Sequence, residues 1–150
     1  MVTPLLAELL EYPGPELEAT VRECRGCVTP EAALLLDRFL AEIEGRSLEE
    51  LYSSTFDLNP TCYPYVGHHL LGESYRRSRF MVGLLELYAK HGFEPDRSEL
   101  PDHLAVMLRF LARHEDDELV HEAILPALER MTGAGAYTHV LDAIRLELSA

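Results

Sequence analysis

Tryptophan is absent from this 150-residue chain, cysteine occurs three times, and basic side chains number 13 against 26 acidic ones. Each shortage removes a class of protein. A small, odd number of cysteines gives no disulfide framework. Cys24 and Cys27 form a CxxC pair, but no second CxxC or HxxxH completes a zinc site. The strand context of a thioredoxin-like motif is missing, and Val28 stands where haem attachment needs histidine. The net charge of −13 repels phosphate backbones, so nucleic acid is not an expected partner. It favours solubility and a basic partner drawn in at long range. Apolar runs are short, Ala32–Leu36 being among the longest, whereas a bilayer span takes roughly 20 residues. The N-terminus has no basic n-region, and Glu8 and Glu11 break any apolar one, so it does not read as a signal peptide. A cytoplasmic protein that does not insert into membranes is expected.

What is present is an ordinary globular composition, 47% apolar and 26% charged. The length suits one domain, residues 1–150. Helix signals recur and alternating strand patterns do not. Thr3-Pro4 and Thr29-Pro30 read as N-cap and first helical residue. Ser47 with Glu50 forms a capping box, and Gly45 and Gly92 read as helix stops. Leu34, Leu35, Phe39, Leu40 and Ile43 share a helical face, as do Phe80, Met81, Leu84, Leu85 and Tyr88. Glu115, Asp116 and Asp117 favour the start of a helix that Pro126 should kink. Residues 59–75, punctuated by Pro60, Pro64 and Gly67, form an aromatic loop that is packed down or kept for contact. The fold class is all-α, a single-domain bundle of about eight helices.

No catalytic constellation emerges. There is no GxxxxGK, GxGxxG or GxSxG. The adjacent His68 and His69 point in different directions and make poor joint metal ligands. His114, Glu118 and His121 share helical spacing and could hold a metal, although a solvated face rich in carboxylates offers such coincidences freely. The expectation is therefore no enzyme and no cofactor. A metal-dependent helical enzyme built on those three residues is the alternative.

Three ordered blocks sharpen this. Leu51–Pro60 (LYSSTFDLNP) resembles the YxxTFDxxP signature of the nitrate reductase delta-subunit chaperones, the NarJ-like proteins. His68–Glu73 (HHLLGE), followed by Arg76 and Arg79, resembles the second block of that family. Glu99–Leu104 (ELPDHL), leading to Leu108–Ala112 (LRFLA), resembles the third. The resemblance implies an all-helical domain of the TorD, DmsD and NarJ superfamily. Its expected activity is to bind the N-terminal or leader segment of the apo catalytic subunit of a molybdenum-containing reductase or dehydrogenase, until the molybdenum cofactor is inserted. A permanent structural subunit of the reductase is the rival within that resemblance. Asn59–Gly67 looks more like the chaperones of dimethyl-sulfide, ethylbenzene, selenate and perchlorate enzymes, so the client is left open. So is a homodimer, since dimers occur among relatives.

The resemblance carries a peptide-binding role onto Pro101, Asp102 and His103. Asp102 also reads as an N-terminal helix cap. Tyr52 could reach the groove with its hydroxyl, and Tyr65 and His69 supply amphipathic contact surface. Arg76 and Arg79 join the peptide site, or else pair with Glu73 or Asp102 to pin the loop.

Overall fold

Thr29 opens the longest early helix by accepting the amide N–H of Ala32, and Ser47 opens the next by accepting that of Glu50. Both caps satisfy backbone donors that the first helical turn leaves unpaired. A computed structural model describes residues 2–150. Among them the chain forms nine helices. These are α1 (Leu5–Glu8), α2 (Leu17–Arg25), α3 (Pro30–Ile43), α4 (Leu48–Tyr52, continued by wide π turns Ser53–Asp57), α5 (Val66–Leu71) and α6 (Tyr75–Lys90). Then come α7 (Leu104–Leu111), α8 (Asp117–Leu119, π turns Val120–Ile124, then Leu125–Arg130) and α9 (Thr138–Ser149). No strand is present among the described residues, only an isolated antiparallel bridge between Tyr65 and His103. None of these helices is long and apolar enough to cross a membrane.

α7 is apolar around almost its whole circumference and runs through the middle of the bundle: every residue of it except Arg109 is buried. A helix of that kind has no face for water. α9 lies along α3, α1 leans on α7, and α5 sits between α6 and α8. Just before α9, the Tyr137 ring packs on Phe39 of α3 and on Phe56 in the π turns of α4, with centroids 5.0 and 4.9 Å away. The π turns after Tyr52 bring Thr55 and Phe56 together into the interior. Sequence periodicity at 3.6 residues gives no hint of such a widening.

Three expectations change. Asp102 does not cap its own helix; His103 does, through its ring. Residues 59–75 are not loop throughout, because Val66–Leu71 form α5 and Pro60–Cys62 a 3-10 turn. Finally, α6 packs mainly on α5 and buries only Leu84 and Tyr88, leaving Leu85 47% exposed.

The CxxC pair is split by burial. Cys24 lies in the core and Cys27 faces solvent, both as free thiols, and Cys62 is buried and free. Burial pushes the Cys24 thiol up to about 12, helped by Cys27 and nearby carboxylates, and pushes Cys62 up to about 11.

Candidate functional site

The second and third sequence blocks are joined by backbone. Val66 donates its N–H to the Asp102 carbonyl at 2.9 Å, and Leu104 donates to the Pro64 carbonyl at 2.8 Å. This short antiparallel bridge places the Asp102 carboxylate under the N-terminus of α5. Its Oδ2 accepts the Gly67 N–H at 3.0 Å, and Arg77 donates to both of its oxygens at 3.1 and 3.2 Å. The carboxylate has no exposed surface, and the Arg77 side chain keeps 17%. Only glycine fits at position 67, since a Cβ there would lie 2.6 Å from Asp102 Oδ2 and 3.0 Å from the Arg77 Cγ. Asp102 thus caps a helix, but a neighbouring one.

Arg77 also lies over the Tyr65 ring, 5.4 Å from its centroid. The Tyr65 hydroxyl donates to Glu99 Oε1 at 2.7 Å, and its ring meets His103 edge-on at 5.2 Å. Burial, and then the Glu99 carboxylate, push the Tyr65 phenol well above its usual range. Tyr88 fixes the segment from behind, donating to the Pro101 carbonyl at 2.7 Å.

His103 is 4% exposed. Its Nδ1 lies 3.0 Å from the Ala105 N–H. A backbone N–H can only donate, so Nδ1 is unprotonated and the neutral ring carries its proton on Nε2. That nitrogen lies 3.8 Å from Glu99 Oε2. Burial lowers the imidazole pKa below the ordinary 6.5, against the pull of Glu99, Glu11 and Asp102. In the unfolded chain the histidine titrates at its ordinary value and takes a proton first. Stability is therefore full above about pH 6.5 and falls as the pH drops from there toward the folded pKa. His69, whose pKa burial also lowers, acts in the same direction. Asparagine can still accept the Ala105 N–H. We therefore expect His103→Asn to flatten part of the fall in urea midpoint between about pH 7 and pH 5. An unchanged slope would show that His103 burial is not its source.

His103 and Tyr52 meet in a 360 Å³ cavity that Asp57, Asp96 and Glu99 also line. The Tyr52 hydroxyl is spoken for, donating to the Leu10 carbonyl at 2.9 Å. This space shares Glu11, Asp96, Val106 and Arg109 with a larger 710 Å³ groove running toward Pro4 and Phe93. Arg109 pairs with Glu11 across the junction, leaving the carboxylates of Asp57, Asp96 and Glu99 on the cavity side.

The sequence-predicted residues divide accordingly. Tyr52 and His103 share the cavity, Tyr65 supports it through Glu99, and Pro101 lines an adjoining cleft that shares Phe93 to Asp96 with the groove. Asp102 is sealed inside. His69 is turned to the Tyr63 carbonyl at 2.6 Å, while Arg76 and Arg79 lie exposed on α6. Arg77 is the arginine that pins the loop, one position away from the expected pair. Its signal was an arginine on the same helical face as the buried Leu84. Of the acidic members, Asp57 stands in the first sequence block as the aspartate of YxxTFDxxP but was not read as a site residue, and Asp96 had no individual signal.

Among the described residues no group of three or more histidine, cysteine, aspartate or glutamate side chains is placed to hold a metal. His114 instead packs against Phe110 and His91, with ring centroids 5.4 and 4.9 Å away.

Residues 28–142 match the model of a family described as nitrate reductase delta subunit. The chain is 31% identical over 125 residues to the nitrate reductase molybdenum cofactor assembly chaperone NarJ of Escherichia coli strain K12, covering 77% of this chain and 53% of that one. It is 32% identical over 117 residues to the probable chaperone of the same name in Bacillus subtilis strain 168, covering 73% and 64%. A 31% identity over 107 residues relates it to the nitrate reductase-like protein NarX of Mycobacterium tuberculosis strain H37Rv, covering 69% of this chain and 16% of that protein. The chain spans about half the length of the first of these relatives.

Proposed function

The chain belongs to the nitrate reductase delta subunit family, and from that membership we propose that it is an assembly chaperone for a molybdoenzyme. In this reading it binds the N-terminal segment of the apo catalytic subunit in the cytoplasm and holds it for insertion of the molybdenum cofactor. The cofactor belongs to the client, and the chaperone's own work is binding.

The observation that carries this reading is the groove formed by the 360 and 710 Å³ spaces, apolar at Val106 and Phe93 and acidic at Asp57, Asp96 and Glu99. An amphipathic helix can lay apolar side chains along such walls while its basic residues meet the carboxylates. Groove carboxylates on a body of net charge −13 also speed the encounter with a basic segment. Ordering a flexible peptide costs conformational entropy, which keeps the affinity moderate and release accessible.

Calorimetry with a peptide copying the N-terminus of the client's catalytic subunit tests this. Asp57→Asn together with Glu99→Gln is expected to weaken binding by about tenfold or more and to reduce its salt dependence. Glutamine at 99 keeps an oxygen for the Tyr65 hydroxyl, so the local fold is retained. Unchanged affinity in the double variant would move the site elsewhere. No binding by the wild-type chain would overturn the reading itself.

A further inference from the structure

We infer that α6 is a surface through which two copies of this chain pair, antiparallel about a two-fold axis beside Val82. The helix buries Leu84 and Tyr88. On the opposite face Tyr75 is 73% exposed and Val82 55%, and Arg79, Glu86 and Ala89 are exposed with them. These five positions are spaced alternately four and three residues apart, the spacing of a helix–helix seam.

Counted outward from Val82 in an antiparallel pair, Val82 meets itself and Tyr75 of one copy meets Ala89 of the other, while Arg79, three residues before the axis, comes within one residue of Glu86, four after it, a gap its long side chain spans. Large lies on small, cation beside anion, apolar on apolar. A face complementary to itself in this way is what a two-fold interface requires. Within one chain Arg79 lies over the ring of Tyr75, at 5.8 Å, and among the described residues it forms no ion pair. Glu86 has no ion-pair partner among the described residues. Gly83, next to the axis, has open space above it, which lets the two helices approach closely.

The far end of α6 supplies a receptacle. Leu85 and Ala89 form one wall of a 620 Å³ cleft closed by Phe93 and Pro101, and Tyr75 of the second copy arrives at its mouth. Glu94 and Asp96 stand on the lip of that cleft, while the other end of α6 carries Arg76 and Arg79. The antiparallel arrangement lays each basic end on an acidic one. With 16 residues the helix is about 24 Å long, so the contact falls below the standard interface of roughly 1,600 Å². The two acidic bodies also repel at long range. The dimer is accordingly weak, dissociating in the micromolar range.

Sedimentation velocity of the full chain across about 1 μM to 1 mM tests this, with circular dichroism confirming that each variant folds. A reversible monomer–dimer equilibrium is expected. Val82→Glu places like charges on the axis, and Arg79→Glu or Glu86→Arg alone does so at both flanking layers. Each is expected to weaken pairing more than about tenfold. The Arg79→Glu, Glu86→Arg double variant is expected to restore it. The inference fails if the chain stays monomeric throughout, if Val82→Glu leaves a dimer intact, or if the double charge swap does not rescue. It also fails if Val82→Glu abolishes client-peptide binding by a monomeric wild type, since the face then belongs to the client. Failure of peptide binding at the acidic groove leaves it untouched.

Discussion

Replacing Asp102 by alanine is expected to destabilise the fold by about 3–5 kcal/mol, because it leaves a buried ion pair half made. The carboxylate is fully buried and holds three donors: the Gly67 N–H and two from the Arg77 guanidinium. Alanine strands the guanidinium, at 17% exposure, and a buried backbone donor at the start of α5. For a chain of this length a loss of that size lowers the thermal midpoint by roughly 10 °C. Asp102→Asn keeps an acceptor for Gly67 and is expected to lose less. Arg77→Met, which strands the carboxylate instead, is expected to lose about as much as Asp102→Ala. The two combined should lose distinctly less than their sum, since the second removes a partner already missing. This outcome separates a role inside the fold from one at the client surface. If Asp102→Ala melts like the wild type and only peptide binding falls, the carboxylate acts on the client.

Phe56→Ala is the second large effect, also about 3–5 kcal/mol, from lost burial plus the cavity left behind. The ring is 1% exposed and stands 4.9 Å from Tyr137 and 5.2 Å from Tyr52. Its two ring neighbours are held away from the space, because Tyr52 is tied by its hydroxyl to Leu10 and Tyr137 is itself packed against Phe39. Chemical denaturation should show a lower midpoint with an unchanged slope. A loss below about 1 kcal/mol would mean that the aromatic cluster collapses freely.

The helices were legible wherever a local rule decides them. Thr29 and Ser47 cap as read, and Gly45 and Gly92 close helices at φ +73° and +67°. Periodicity places Phe39 and Ile43 inward, as they are, but Leu34, read onto the same face, is 59% exposed, and Leu36 is buried instead. What eluded reading depends on partners distant in sequence. The Tyr65–His103 bridge joins two segments whose own patterns are silent about each other. Arg76, Arg77 and Arg79 look alike in a string, and only the direction in which α6 rolls against α5 selects Arg77 for Asp102. Leu85 carries an inward-facing signature, yet α6 rests on too narrow a support to cover it. The π turns in α4 and α8 likewise arise from packing.

The split CxxC pair has a chemical consequence. With burial pushing the Cys24 thiol up to about 12 and the Cys62 thiol up to about 11, both stay protonated at neutral pH. Peroxides and alkylating reagents attack the thiolate. In the folded chain these two sulfurs are therefore spectators to oxidants, and any modification at either one reports an unfolding event instead.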